Sequence, residues 1–185
     1  MQKLKDNKSF CLLFFLALFG FSIGLFDNYR ELWMNTNNLS TTTISHVISI
    51  SYIVTVFVLF FFTVKVSTNK LKWGICITLA LNMMTGTALI CLNNSDHAFL
   101  IKFLMFFNIA FSQLILASVY PLMMNIKKDD VLYTKKSFVE SLFSKLGFLL
   151  VAILLGKTIF HTVIDYNICL LLSIIFNFLA LIVLL

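Results

Sequence analysis

Six long apolar stretches alternate with short polar segments along this 185-residue chain. Each stretch holds about 20 or more residues, and a helix of that length, rising about 1.5 Å per residue, crosses a hydrocarbon layer of about 30 Å. The pattern predicts membrane spans at about 9–32, 43–65, 72–92, 98–125, 138–160 and 165–185. We therefore expect an all-α integral membrane protein, with residues 1–185 forming a single transmembrane domain in the lipid bilayer. Ser40 or Thr41 is expected to cap the second span.

The composition supports a membrane protein. Hydrophobic residues make up 60% of the chain and charged residues only 12%, whereas a soluble domain carries about 25% charged residues. The lysines before the first span are typical of a signal peptide, but no small-residue cleavage site follows, so we interpret this segment as an uncleaved span. The abundance of Lys, Asn, Ile and Phe indicates an AT-rich genome and favours a bacterial cell membrane.

Positive charges concentrate in alternate connections between the spans. Ten of the fourteen Lys and Arg residues precede span one or follow spans two and four: Lys3, Lys5, Lys8, Lys65, Lys70, Lys72, Lys127, Lys128, Lys135 and Lys136. Arg30, Lys102 and Lys157 lie toward the other side. Because loops rich in Lys and Arg stay on the cytoplasmic side, we expect a cytoplasmic N-terminus. The same distribution explains the net charge of +6 without a nucleic-acid partner.

No arrangement typical of an enzyme is present in the sequence. There is no recognisable nucleophile, phosphate-binding loop or pair of carboxylates, and the three histidines and four cysteines lack metal-ligand spacing. We therefore expect no catalytic activity, no metal and no cofactor.

Polar and ionisable residues within the spans are the candidates for function, because such groups are costly in lipid and usually face a cavity or a partner. We predict that a substrate path is lined by Asp27, Arg30, His46, Tyr52, Lys102, Asn108 and Gln113. Asp27 and Arg30 are three residues apart, so both can face the path, but they can equally form a helix end that reaches into water. For the polar groups of span four, hydrogen bonding between helices is the alternative to cavity lining.

Small residues predict where helices pack closely. Gly20 and Gly24 form a small-xxx-small pair in span one, and Gly147 and Gly156 provide small surfaces in span five. We expect these two spans to pack against each other.

Span six has little polar character beyond Ser173 and Asn177, so we expect it to face lipid. It runs to Leu185 without a polar flank, which predicts a chain that is truncated, split, or paired with a second half.

Several segments resemble the N-terminal half of a major facilitator superfamily transporter. STTTISHVISISYIVTVFVLFFFTVKVSTNKLKWGI resembles the second span, cytoplasmic loop and third span of that family, with Ser67 where the loop motif has an aspartate. FLIKFLMFFNIAFSQLILASVYPLM is similar to the fourth span, with Lys102 at the usual position of an arginine. SFVESLFSKLGFLLVAILLGKT is similar to the fifth, with Gly147 and Gly156 near its packing positions.

This resemblance implies six helices arranged as a 3+3 repeat, with spans one, two, four and five lining the path and spans three and six outside it. It also implies transport of a small solute by alternating access, which requires a second six-helix half or a second copy of the chain. Two alternatives stay open: the six-helix substrate-binding subunit of an energy-coupling-factor vitamin importer, and a non-transporting membrane accessory protein. The residues do not identify the substrate, the coupling ion or the direction of transport.

Overall fold

The computed structural model describes residues 2–27, 29–62, 67–92, 97–126, 130–156 and 163–185. It contains six long helices and one short helix: α1 (Gln2–Phe26), α2 (Arg30–Thr36), α3 (Thr41–Phe62), α4 (Thr68–Cys91), α5 (Ala98–Ile126), α6 (Asp130–Gly156) and α7 (Val163–Leu184). The predicted topological charges at Lys65, Lys127, Lys128 and Lys157 lie outside the described residues. The expectation of an all-α chain with six long helices is confirmed.

Five helical segments within the described ranges are long and apolar enough to cross a membrane: Phe10–Thr36, Thr41–Phe60, Asn69–Cys91, Ala98–Val119 and Tyr166–Leu184. The sixth long helix, α6, spans 27 residues but carries Lys135, Lys136, Glu140 and Lys145 before its last three turns. The chain is thus a multi-pass membrane protein by helix length and composition, and the predicted crossing at 138–160 stays a prediction.

The first predicted span is divided by a turn. α1 ends at Phe26 and α2 begins at Arg30, and the backbone N–H of Tyr29 donates to the carbonyl of Phe26 over 2.8 Å. Asp27 lies in this turn, where an aspartate is favoured because its side chain competes with the backbone for hydrogen bonds. The break therefore lies inside the candidate span Phe10–Thr36.

The connection from α2 to α3 is short and well capped. Asn38 has a φ of 61°, a left-handed conformation that asparagine tolerates better than most residues. The hydroxyl of Ser40 accepts a hydrogen bond from the backbone N–H of Thr43 at 3.3 Å. This contact confirms the expected cap at the start of α3.

Four of the long helices form a closed ring. α1 packs on α7, α7 on α4, α4 on α5, and a smaller contact between α5 and α1 completes it. The other two long helices lie outside the ring, α6 against α1 and α3 against α5. The order α3, α5, α1, α6 therefore makes one row, with α4 and α7 packed behind its two middle helices.

Two apolar clusters fill the ring at its two ends. One contains residues from the start of α1 and α4 and the end of α5 and α7, including Phe15, Leu79, Val119 and Ala180. The other contains residues from the opposite ends of these four helices, including Leu89, Met105 and Cys169, together with residues of α2 and α3 such as Trp33 and Ile44. A layer of buried polar side chains lies between them in sequence on all four helices.

α7 has an exposed apolar face, as expected of a helix that faces lipid, but its other face packs against protein. One face of α7 packs on α1 and α4 and buries Ser173 and Asn177, while the other exposes apolar residues such as Ile175 and Phe178. Two polar residues four positions apart share one side of a helix, and this is the side that contacts protein.

Candidate functional site

Six polar side chains from four helices meet at the centre of the ring. All are more than nine-tenths buried: Ser22 of α1, Asn82 of α4, Asn108 and Ser112 of α5, and Ser173 and Asn177 of α7. Each lies well inside its candidate membrane span. Polar groups at such positions are costly unless they are hydrogen-bonded, because lipid offers no partner. We refer to these six residues as the polar layer.

Asn82 connects three helices of the polar layer. Its Nδ2 donates to the carbonyl of Asn108 at 2.9 Å and to Oγ of Ser112 at 3.1 Å. Its Oδ1 accepts from Nδ2 of Asn177 at 3.2 Å. The Nδ2 of Asn108 reciprocates by donating to the Asn82 carbonyl and to Oγ1 of Thr85, both at 3.3 Å. These bonds join α4 to α5 and to α7.

A second set of bonds joins α1 to α7. The hydroxyl of Ser22 lies 3.0 Å from the carbonyl of Ser173 and 2.8 Å from its Oγ. Hydrogen bonds between membrane helices contribute about 0.6 kcal/mol on average and up to about 1.7 kcal/mol. The polar layer therefore fixes the relative positions of the helices through several modest interactions.

A small cavity lies within the polar layer. About 10 Å³ of it is open to water, close to the space that one water molecule needs. Its walls are formed by the six residues of the polar layer, by Asp27, and by the apolar residues Phe19, Ile23, Phe26, Leu170 and Ile174. Among the described atoms, Asn177 Oδ1 is buried and has no hydrogen-bond partner. The cavity therefore has room for one water molecule, which could donate a hydrogen bond to a buried oxygen.

Asp27 and Arg30 form a buried ion pair at the break between α1 and α2. The two side chains are 17% and 6% exposed, respectively, so protein covers them and they do not form an exposed helix end. In the described part of the chain, Nε of Arg30 has no hydrogen-bond partner. The neighbouring Trp33 is fully buried and donates from Nε1 to Oδ1 of Asn167 at 2.8 Å, which ties α2 to α7.

Few of the predicted path residues lie close to one another. Asp27 contacts Arg30 in the ion pair, and Asp27 and Asn108 both line the small cavity. His46 and Tyr52 are exposed on α3, and Lys102 and Gln113 are half-buried on α5. Asn108 is engaged in bonds between helices, which was the alternative open for the polar groups of span four.

Asn82 is the residue that the sequence did not single out and that makes the most contacts in the polar layer. The signal for it was an asparagine near the middle of an otherwise apolar span. Asn177 and Ser173 carried a similar signal in span six, because they lie four residues apart and thus on one side of the helix.

A larger groove lies between α2 and α3. It has a volume of about 380 Å³ and is lined by Glu31, Leu32, Asn35, Thr41, Ile44, Ser45, Ile48 and Ser49. It contains one carboxylate and lies at the end of the bundle where α2 meets α3. None of the predicted path residues lines it.

The glycines lie at the contact between α1 and α6. A Cβ on Gly20 would lie 2.9 Å from the carbonyl oxygen of Glu140, and a Cβ on Gly24 would overlap the carbonyl oxygen of Ser144. A Cβ on Gly147 would lie 2.5 Å from the carbonyl oxygen of Phe21. The two backbones approach too closely there for any side chain. Gly156 ends α6, and its surroundings lie outside the described part of the chain.

Within the described ranges, no group of three or more His, Cys, Asp or Glu residues is close enough to hold a metal ion. Comparison with known proteins finds no matching protein family, no similar characterised protein and no similar solved structure. The fold and the polar layer together define an all-α, multi-pass membrane protein.

Proposed function

We propose that this chain is one half of a secondary active transporter of the major facilitator type, which moves a small solute by alternating access together with a second six-helix unit. The second unit is either another polypeptide or a second copy of the chain. The observation that carries the proposal is the order in which the helices pack.

The contacts between the long helices have an internal symmetry. If α1 is exchanged with α5, α3 with α6 and α4 with α7, the same set of contacts results. The α1–α6 contact then becomes the α5–α3 contact, and the α1–α7 contact becomes the α5–α4 contact. The α1–α5 and α4–α7 contacts each map onto themselves. Such a pattern is what two inverted three-helix repeats produce, so it supports the 3+3 arrangement.

The polar layer follows the same relation. Ser22 on α1 bonds to Ser173 on α7. At the related contact, between α5 and α4, Asn108 and Ser112 bond to Asn82. The bond between Asn82 and Asn177 joins the two helices that exchange with each other. Because these contacts involve side chains rather than helix order alone, they support the proposed repeat separately.

The ends of the bundle are consistent with a cytoplasmic N-terminus. The start of α4 and the end of α7 lie together, since Nζ of Lys72 donates to the carbonyl of Leu185 at 3.2 Å. Lys70 and Lys72 lie at this start of α4, and Lys135 and Lys136 lie in the first part of α6. A lysine-rich end is retained in the cytoplasm, and we place it there in a bacterial cell membrane.

The centre of the ring is too small to hold a vitamin. A subunit that holds a vitamin on its own needs a pocket of at least about 300 Å³, whereas about 10 Å³ is open at the centre of the ring. The groove between α2 and α3 has the required volume, about 380 Å³, but it lies outside the ring, and none of the predicted path residues lines it. In a transporter the main solute site lies between two halves, so each half can have a filled interior.

The proposal is tested by purifying the chain from its native membrane in nanodiscs and determining the assembly by native mass spectrometry. We expect two six-helix units. Proteoliposomes of that assembly are then tested on solid-supported membranes with amino acids, sugars and organic cations. A single unit that binds a vitamin alone, or a stable complex with an unrelated protein and no solute-dependent current, would contradict the proposal.

Lys102→Ala gives a sharper test at the residue level. Lys102 is half-buried on α5, and its charge inside a span is expected to interact with the solute or with the second unit. We expect the variant to lose solute-dependent current at normal expression. Lys70→Ala, which removes an exposed lysine at the lysine-rich start of α4, is the control and should retain it. Unchanged current in the Lys102 variant would remove Lys102 from the path.

A further inference from the structure

The groove between α2 and α3 combines one carboxylate, one amide, three hydroxyls and an apolar floor. Its lining residues are Glu31, Leu32 and Asn35 of α2, and Thr41, Ile44, Ser45, Ile48 and Ser49 of α3. Its volume of about 380 Å³ falls within the range of small-molecule sites, about 300–1,000 Å³. Apolar walls with a few convergent polar groups are the usual composition of such sites. The groove therefore suits a small ligand with one polar end and an apolar body.

The position of Glu31 favours a positively charged ligand. Glu31 lies more than one helical turn inside the candidate span Phe10–Thr36 and is exposed to the groove. A carboxylate within a span is costly, and such residues usually face a cavity or pair with a cation. Arg30 does not neutralise it, because the Arg30 side chain is buried and pairs with Asp27. In the described part of the chain, no cationic side chain lies within ion-pair distance of the Glu31 carboxylate.

The hydroxyls that line the groove are also available to a ligand. On the buried side of α3, Ser51 and Thr55 donate to carbonyls one turn earlier, at 2.6 and 2.8 Å. Among the described residues, the hydroxyls of Thr41, Ser45 and Ser49 have no such partner. These three residues are spaced by four positions and so form one row along the helix. Their oxygens can accept hydrogen bonds from an ammonium group.

The short connection between the two helices sets the direction of the groove. Only residues 37–40 separate α2 from α3, so Asn35 and Thr41 lie at the end of the groove near this connection. Glu31 and Ser49 lie farther from the connection along their helices, and thus at the other end. The isoleucines of the groove floor lie between the two ends. A ligand is therefore expected to place its charge beside Glu31 and its apolar body along the isoleucines.

We propose that this groove binds a small amphipathic amine, whose ammonium group pairs with the Glu31 carboxylate and donates to the hydroxyls of Ser45 and Ser49. The apolar body of the amine packs on Leu32 and Ile48. A primary ammonium fits better than a quaternary one, because the hydroxyl row requires N–H donors. The groove is formed within one chain, so this inference depends neither on a second six-helix unit nor on the proposed transport.

Ligand-observed fluorine NMR on the purified chain tests the site. The probe is para-fluorobenzylammonium, and para-fluorobenzyl alcohol and para-fluorobenzoate are its neutral and anionic relatives of similar shape. Nanodiscs of phosphatidylcholine are used because this lipid has no primary amine, and empty nanodiscs give the partitioning background. We expect saturable line broadening with the ammonium in the millimolar range, as for a small ligand in an open site. The two relatives should bind at least about tenfold more weakly, because they cannot pair with a carboxylate.

Two pairs of variants separate the groove from general effects of charge and size. Glu31→Gln keeps the shape of the side chain and should weaken ammonium binding at least about tenfold. Glu140→Gln, the same change on α6, should leave binding unchanged. Ser45→Trp should fill the groove and abolish binding. Thr42→Trp, at an exposed position of the same helix that does not line the groove, should retain it.

Three results would overturn the inference: no saturable binding of the ammonium, equal binding of the three probes, or binding that survives both Glu31→Gln and Ser45→Trp. Loss of binding when phosphatidylethanolamine replaces phosphatidylcholine would assign the groove to a lipid headgroup and also overturn a soluble ligand. Ammonium binding without solute current would support the groove and contradict the proposed transport. Solute current without ammonium binding would do the reverse.

Discussion

α1 contacts its two main neighbours in opposite ways. Against α6 the contact depends on missing side chains, since Gly20, Gly24 and Gly147 let the two backbones touch. Against α7 it depends on added polar atoms, since Ser22 bonds to Ser173. Lipid supplies no hydrophobic force between helices, so close backbone packing and hydrogen bonds are the two ways to join them.

The two kinds of contact are expected to respond differently to substitution. At the glycine contact the obstructing atoms belong to the backbones of α1 and α6, which cannot rotate away as a side chain can. In the polar layer, losing a bond removes a modest energy per bond, and the total loss depends on how many groups are left without partners. We therefore expect the glycine contact to be the less tolerant of the two.

Gly24→Leu is expected to have the largest effect. Its Cβ would overlap the carbonyl of Ser144, so α1 and α6 must separate, and we expect a loss of about 3 kcal/mol or more in the free energy of unfolding. SDS titration in mixed micelles measures it. Gly74→Leu is the control, because nothing lies within 4 Å of a Cβ there. Equal losses for the two variants would show that the α1–α6 contact is not as close as described.

Asn82→Leu is expected to follow. The change removes two donated hydrogen bonds and one accepted bond and leaves the whole side-chain amide of Asn177 without a partner. Because unsatisfied buried groups cost about 1–3 kcal/mol each, we expect a loss of about 2–3 kcal/mol.

Thr87→Val is the matched control for Asn82→Leu. Thr87 is exposed on the same helix, and within the described part of the chain its hydroxyl donates to the carbonyl of Met83, one turn earlier. Its substitution should change the unfolding free energy by less than about 0.5 kcal/mol. If Asn82→Leu were as mild as this control, the polar layer would not hold the four helices together.

Much of the fold could be predicted from the sequence. Apolar length alone located the long helices, because backbone hydrogen bonds in lipid must be made within each segment. The cap at Ser40 was also readable, since a hydroxyl before an apolar run is a local signal. The break at Asp27 was not, because the polar run at 27–31 fits the polar end of one continuous helix equally well, and only the turn and the buried ion pair reveal two helices.

The candidate site was less predictable, because a polar residue in a span does not show which way it faces. For Asn108 both path lining and hydrogen bonding between helices were open, and the structure shows a bond to Asn82 inside the ring. Span six was assigned to lipid because its polar residues are few, although Ser173 and Asn177 lie on one side of it. The number of polar residues indicated the average environment of a helix, and their spacing was the better guide.

The smallest of the three expected effects is that of Ser22→Ala, and it best distinguishes the two kinds of contact. The change removes one hydroxyl from the α1–α7 contact without adding any atom. In a double-mutant cycle of unfolding free energies we expect a coupling energy between Ser22→Ala and Ser173→Ala of about 0.6 kcal/mol. Gly20→Ala also changes α1 by a single heavy atom, but it adds that atom 2.9 Å from the Glu140 carbonyl oxygen. It should therefore destabilise the protein more than Ser22→Ala does. If the serine variant were instead the more harmful, hydrogen bonding rather than backbone proximity would dominate the packing of α1.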